Sequence, residues 1–169
     1  ATDDYDCMVD PLAKGIDLKP LLDLLADTSR VKVFHAARQD LEIFTRLMGQ
    51  TPAPVFDTQI AAMAAGLGDS IPYENLVSRV VKGTVDKSSQ FTDWARRPLS
   101  DKQLQYARSD VTYLRRIYRI LDDKLRKQNR IEWIADEHAA LVDPENYSFD
   151  PADAWKRQKI RKYRNDYLA

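Results

Sequence analysis

The chain has 169 residues, enough for one domain with a buried core, and its hydrophobic fraction of 44% excludes wholesale disorder. Its 26 basic and 26 acidic residues leave no net charge, and no apolar run is long enough to span a bilayer. The lone cysteine, Cys7, excludes an internal disulfide and a Cys/His zinc site, so we expect a reducing, cytoplasmic setting and no membrane partner.

The first half of the chain predicts short strands that alternate with helices. Strands are expected at residues 5–9, 31–35 and 55–56. Helices are expected at residues 18–25, after Asp17 as a cap, and at 37–48, closed by Gly49. A third helix is capped by Asp57 and runs through residue 65. In the helix at 37–48, the residues predicted to face inward are Leu41, Phe44, Leu47 and Met48.

The second half is mainly helical. A helix at 72–82, closed by Gly83, precedes an irregular segment at 84–97. Ser100 and Gln103 then form a capping box that starts a long helix. Its apolar stripe consists of Leu104, Ala107, Val111, Leu114, Tyr118, Leu121 and Leu125. Further helices are expected at 131–141 and, after a loop, at 152–167, so the fold class is α/β.

The charges are unevenly distributed along the chain. Residues 1–30 carry a net charge of −4, whereas residues 151–169 carry a net charge of +4. A basic tail beside an acidic head suits a polyanion that approaches metal-binding carboxylates. A solvated helix face is the alternative interpretation, and charge alone does not decide between the two.

Two acidic residues and a tyrosine are the candidate catalytic groups. Tyr106 and Asp110 are four residues apart in the long helix, and on a wheel they lie about 100° and about 60° from the middle of its apolar stripe. That border position is where a cleft wall is expected. Asp40 follows a predicted strand that ends at His35. Taken singly, each of these four residues favours a structural interpretation, such as a helix-dipole acid or a packed aromatic ring.

The chemistry of phosphodiester hydrolysis makes these residues more informative together than they are singly. Two divalent metal ions about 3.5–4 Å apart can activate a water and hold the charge on the leaving oxygen. Mg²⁺ and Mn²⁺ prefer oxygen ligands, so carboxylates must converge from different elements. Asp40 and Asp110 are suitable ligands, and Tyr106 could orient the attacking water.

Six segments in order closely resemble bacterial ribonuclease D, a member of the exonuclease superfamily named for its four acidic residues. The segments are FHAARQDLEIF at 34–44, FDTQ at 56–59, DKSS at 86–89, TDW at 92–94, RPL at 97–99 and YARSDVTYL at 106–114. The resemblance implies a ribonuclease-H-like 3′-5′ exonuclease core that trims RNA 3′ ends, such as those of tRNA, and releases 5′-monophosphates. It implies two divalent metal ions, Mg²⁺ or Mn²⁺, with Asp40 and Asp110 as ligands and Tyr106 as the residue that positions the nucleophile.

Basic residues outside this set are candidates for RNA binding by charge. Lys87, Arg96 and Arg97 lie in or beside the irregular segment, and Lys156, Arg157 and Lys159 lie in the basic tail. Trp94 has two interpretations: it stacks on the substrate strand, or it anchors the irregular segment against the core, and the second is favoured.

The family's first motif, an Asp-x-Glu pair, is not found ahead of His35, and Asp143 and Glu145 have this spacing only far downstream. We therefore expect residues 1–141 to be an exonuclease domain whose first strands are missing. Residues 142–169 are expected to be a linker and basic helix that lead to an absent helical nucleic-acid-binding domain. On this interpretation the 169-residue chain has impaired activity. The alternative is a catalytically inactive nucleic-acid-binding module with the same fold.

Overall fold

A computed structural model describes residues 6–147 of the chain. In chain order the helices and strands are α1 Lys19–Ala26, β1 Lys32–Phe34, α2 Arg38–Met48, β2 Val55–Asp57, α3 Thr58–Ala64, α4 Tyr73–Val81, α5 Asp101–Lys127 and α6 Ala135–Val142. Two 3₁₀ turns, Ile131–Ile134 and Pro144–Tyr147, flank α6. Within this part of the chain, no helix is both long enough and apolar enough to cross a membrane.

The two strands form a small parallel sheet. Val33 lies opposite Phe56, and both strands end at the same edge, where Phe34 is paired with Asp57. Because α2 follows β1 and α3 follows β2, two helices begin at that edge. This places the residues just after each strand close together, as in other parallel α/β arrangements.

The long helix α5 forms one side of the core. Its capping box is present as expected, since Ser100 accepts from the Gln103 amide and the Gln103 side chain accepts from Ser100. Leu121 and Leu125 are buried, as predicted, but Ile117 is also fully buried and lay outside the predicted stripe. Conversely, Val111 is 39% exposed, because the core packs mainly against the C-terminal half of this helix.

Four predicted features differ from the structure. Residues 6–9 form no strand and pair with neither β1 nor β2, because ion pairs from Asp6 and Asp10 hold this segment instead. Leu47 is 54% exposed and therefore does not face inward. Gly83 does not take the left-handed conformation that ends α4; Lys82 does, with φ 54°. The 131–141 helix begins as a 3₁₀ turn rather than as an α-helix.

A glycine at position 83 has a different role. A Cβ atom there would lie 2.6 Å from the ring of Tyr113, so the residue allows α4 to end close against α5. The predicted strand residue at position 5 and the predicted basic helix at 152–167 lie outside the described residues.

Candidate active site

One cavity brings together the three candidate catalytic residues. It has a volume of about 320 Å³, and its walls include Asp40, Tyr106 and Asp110. Asp40 comes from the first turn of α2, whereas the other two come from α5. Residues separated by about 70 positions in the sequence therefore share one cleft, which the sequence could only suggest. The same walls include His35, Tyr73, Glu74, Lys87 and Gln90.

The position of Asp40 depends on a buried carboxylate at the end of β2. Asp57 accepts hydrogen bonds from the backbone N–H of Ala36 at 3.0 Å and of Ala37 at 2.8 Å. It also accepts from the N–H of Gln59 at 2.7 Å, which is the predicted cap of α3. Ala36 adopts a left-handed φ of 57°, a conformation that costs a non-glycine residue about 1 kcal/mol or more. These bonds fix the turn between β1 and α2, and thereby the helix start that carries Asp40.

Asp40 and Asp110 are both disfavoured in their charged forms. Burial raises the pKa of Asp40 above its usual range, and the nearby charge of Asp57 raises it further. Burial also raises the pKa of Asp110 to about 6. A cation between such carboxylates would favour ionisation, because it supplies the charge that the protein surroundings lack.

Tyr106 is held beside Asp110 by an aromatic neighbour. Its ring lies 5.9 Å from that of Trp94, at an angle of 50°. Trp94 in turn donates from Nε1 to the carbonyl of Gln90 at 3.3 Å, within the irregular segment, so its ring contact with Tyr106 joins that segment to α5. These contacts agree with the structural interpretation favoured for Trp94, and stacking on a substrate strand stays a prediction. Burial raises the pKa of Tyr106, and the charge of Asp110 adds to the effect, so its hydroxyl remains protonated at neutral pH.

The tautomer of His35 follows from its partners. Thr58 donates its only hydroxyl hydrogen to the carbonyl of Phe34 at 3.0 Å. The Nδ1 atom of His35, 3.0 Å from the same hydroxyl oxygen, must therefore be the donor. Burial lowers the pKa of His35, which keeps the ring neutral. Its Nε2 atom is buried and has no hydrogen-bond partner among the described residues. His35 is thus a hydrogen-bonded residue that also lines the cleft.

Lys87 and Glu74 form an ion pair at the cavity wall. The Lys87 ammonium lies 2.5 Å from a carboxylate oxygen of Glu74, and the lysine side chain is 45% exposed. Lys87 also lowers the pKa of Tyr106, although burial outweighs this effect. Its position fits the predicted contact with a phosphate chain. Sequence reasoning missed Glu74, Gln90 and Tyr73, because only the packing of α4 and the irregular segment against α5 places them here.

The remaining predicted RNA contacts lie elsewhere. Arg97 forms an ion pair with Asp10 at 2.5 Å and donates to the carbonyls of Trp94 and Arg96, so it joins the N-terminal segment to the irregular one. Arg96 and Arg97 line a separate surface depression rather than the cavity. The predicted contacts of the basic tail, Lys156, Arg157 and Lys159, lie outside the described residues.

The cavity residues fit part of a divalent metal site. Asp40 and Asp110 offer oxygen ligands of the kind that Mg²⁺ and Mn²⁺ prefer. A bound cation would lower the raised pKa values of both carboxyls. Across residues 6–147, however, no group of three or more acidic, histidine or cysteine side chains is arranged to hold a metal. Two carboxylates are fewer than a pair of closely spaced cations requires.

Comparison with known protein families identifies the chain. The family model described as 3′-5′ exonuclease matches residues 1–126. The chain belongs to this 3′-5′ exonuclease family. Among curated relatives, ribonuclease D of Jannaschia sp. is 54% identical over 161 residues, which cover 95% of this chain and 42% of that protein. The resemblance to ribonuclease D is therefore confirmed. The chain spans about two fifths of the length of such relatives.

Solved structures agree with this assignment. The crystal structure of Escherichia coli RNase D, described as an exoribonuclease involved in structured RNA processing, matches with a TM-score of 0.76 and 34% identity. That match covers 84% of this chain and 38% of the E. coli chain. Brucella melitensis NrnC with bound Mg²⁺ matches with a TM-score of 0.66 and 31% identity, over 83% of this chain and 67% of NrnC. The expected ribonuclease-H-like exonuclease core is confirmed by these neighbours; the C-terminal helical extension stays a prediction.

Proposed function

We propose that the protein carrying this chain is a 3′→5′ exoribonuclease of the ribonuclease D type. The convergence of Asp40, Tyr106 and Asp110 on one cavity carries this proposal. The substrate is the 3′ end of RNA, including tRNA-like ends, and the products are nucleoside 5′-monophosphates. The printed descriptions of its relatives, which name ribonuclease D and structured RNA processing, support an RNA substrate. The single cysteine, exposed and free, supports the expected cytoplasmic setting.

Asp40 and Asp110 would hold the divalent ions, Mg²⁺ or Mn²⁺. When bound, these ions activate a water and stabilise the charge on the leaving oxygen. The NrnC structure with Mg²⁺ supports a divalent ion in this family. The chain's own part is to keep Asp40 and the half-buried Asp110 at the cleft, since partial dehydration of the carboxylates strengthens their attraction for a cation.

Tyr106 acts on the attacking water as a hydrogen-bonding group. Its phenol is neutral and a permanent donor, because burial and the charge of Asp110 raise its pKa. Trp94 packs beside the Tyr106 ring. Lys87 is placed to neutralise an approaching phosphate, although it must exchange or share its ion pair with Glu74. Phosphate contacts of this kind do not depend on the base sequence.

We expect the 169-residue chain alone to turn over slowly. Two carboxylates cannot compensate the mutual repulsion of two closely spaced cations. The second candidate function is a nucleic-acid-binding module with the same fold and no chemistry, and the shortage of metal ligands among residues 6–147 favours it for the isolated chain. For the longer protein, the cleft residues favour the enzyme.

The test is a nuclease assay on the longest natural form of the protein. RNA labelled at its 5′ end, with either a free or a phosphorylated 3′ terminus, is incubated with Mg²⁺, Mn²⁺ or a chelator. The proposal predicts stepwise shortening from a free 3′ end, release of 5′-monophosphates and no activity with the chelator. Asp110→Asn should abolish turnover and leave RNA binding intact.

A matched control is Asp123→Asn on the same helix. Asp123 is exposed and pairs with Lys127, away from the cavity, so this variant should keep full activity. RNA binding without shortening by the parent protein would support the binding module instead. Robust metal-dependent release of nucleotides by the isolated 169-residue chain would contradict the expected impairment.

A further inference from the structure

The first residue of α4 makes an unusual contact with the helix that carries Asp110. The Tyr73 hydroxyl donates to the backbone carbonyl of Asp110 at 2.5 Å and lies 3.4 Å from that of Ser109. The two residues are 37 positions apart in the sequence. The phenol of α4 is thus bonded to the backbone of α5 at Asp110, whose carboxyl pKa is raised to about 6.

Two other side chains bond to backbone carbonyls in the same turn of α5. Ser109 donates to the carbonyl of Tyr106 at 2.7 Å, and Thr112 donates to that of Arg108 at 2.9 Å. Side-chain donors of this type compete with the backbone hydrogen bonds of a helix and tend to bend it. The segment that carries both candidate catalytic residues therefore accepts three side-chain hydrogen bonds at its backbone carbonyls, and of these three the one from Tyr73 comes from a different helix.

The ring of Tyr73 also borders the cavity. Its ring lies 5.4 Å from that of His35, and both residues line the cavity. Burial raises the pKa of Tyr73, and the charge of Asp110 adds to this, so the hydroxyl keeps its proton and remains a donor. The Leu114 N–H, which belongs to the same turn of α5, acts in the opposite direction. Tyr73 therefore contacts His35 with its ring and the α5 backbone with its hydroxyl.

We propose that Tyr73 is a positioning residue: its hydroxyl holds the α5 backbone at Asp110 and so sets where that carboxylate lies in the cleft. The inference rests on the proposed function, because Asp110 is taken as a metal ligand. Tyr73 itself takes no part in the reaction. Its effect is geometric, and misplacement of a catalytic group by about 1 Å can lower a rate by roughly 100-fold.

The variant Tyr73→Phe removes the hydroxyl and keeps the ring against His35. In the longest form of the protein, we expect kcat to fall at least about tenfold while KM changes less than about twofold. In the 169-residue chain, the backbone carbonyl ¹³C signal of Asp110 should shift, because this carbonyl loses its hydrogen bond from Tyr73. The control is Tyr113→Phe, whose hydroxyl bonds to the Thr84 carbonyl at 3.3 Å from the same helix. It should change neither quantity.

An unchanged Asp110 carbonyl signal in Tyr73→Phe, or an equal change in Tyr113→Phe, would overturn the inference. If Tyr73→Phe does not fold, the unsubstituted chain supplies the test. Exchange of the Tyr73 hydroxyl proton for deuterium should produce an isotope shift at the Asp110 carbonyl carbon, and its absence would equally refute the contact. These NMR measurements need no catalysis, so a parent protein without nuclease activity would refute the proposed function and leave this contact standing.

Discussion

Replacement of Asp110 by asparagine should stabilise the protein at neutral pH while it removes activity. Burial raises the pKa of the carboxyl to about 6, from an ordinary value of 3.8. A rise of roughly two pH units corresponds to about 3 kcal/mol of unfavourable ionisation. Because the side chain is only half-buried, water screens part of this, and we expect a gain of about 1–2 kcal/mol in the free energy of unfolding.

The sign of the pH dependence follows from the two pKa values. The folded state holds the Asp110 proton more tightly than the unfolded state does. The stability linked to this proton is complete below about pH 3.8 and is lost as the pH rises through about 6. Asparagine does not titrate, so the advantage of Asp110→Asn should be near zero at pH 4 and complete above pH 7.

The assay is urea-induced unfolding of the parent chain and of Asp110→Asn between pH 4 and pH 8. For a chain of this size, the expected gain corresponds to a melting temperature higher by about 2–8 °C at pH 8. Asp123→Asn, on the exposed part of the same helix, controls for the loss of one negative charge. The same small effect at every pH, or no gain at pH 8, would show that Asp110 is an ordinary surface acid.

Three further predictions concern Tyr106, Gln103 and the basic tail. Tyr106→Phe should lower kcat by about 10–100-fold in the longer protein and leave Mn²⁺ affinity unchanged, since only the hydroxyl is lost. If Tyr106→Phe and Asp110→Asn had equal, small effects on the rate, this prediction would be wrong. Gln103→Ala should lower the free energy of unfolding by about 2 kcal/mol, because it removes the capping box and the bonds from Gln103 to the Thr92 hydroxyl and the Asp93 carbonyl. Chemical denaturation measures this loss, and a change below about 0.5 kcal/mol would refute the prediction. Neutralising the basic tail should flatten the dependence of log RNA affinity on log salt, by up to about 0.7 for each lost phosphate contact; a lower melting temperature with an unchanged salt slope would show instead that the tail pairs with the acidic N-terminal residues. The tail variant replaces with glutamine Lys156, Arg157, Lys159, Arg161 and Lys162.

Local signals in the sequence predicted the helices and their ends well. The capping box at Ser100 and the left-handed Gly49 are present as expected, because the bonds that they make span only three or four residues. Asp57 was expected to cap α3 and does so. Its bonds to the backbone of Ala36 and Ala37 were not predicted, since they join residues about 20 positions apart.

The site itself was predictable only in part, and the limit has a physical origin. Tyr106 and Asp110 share a helix, so their spacing alone indicates a common face. The presence of Glu74 and Tyr73 in the same cavity depends on how α4 packs against α5, which no local pattern encodes. Arg97 has the charge of an RNA contact, yet its bonds to Asp10 and to nearby carbonyls hold two segments of the protein together.

The claim on which the account depends is that Asp40 and Asp110 hold a divalent ion in one cleft. Line broadening of side-chain carboxyl ¹³C signals by Mn²⁺ tests this directly, and it detects even weak binding by the isolated chain. We predict that low concentrations of Mn²⁺ broaden the signals of Asp40 and Asp110 together. In Asp110→Asn, the broadening of the Asp40 signal should also be lost. Selective broadening of an exposed acid such as Asp123, with both cleft signals unaffected, would contradict the account.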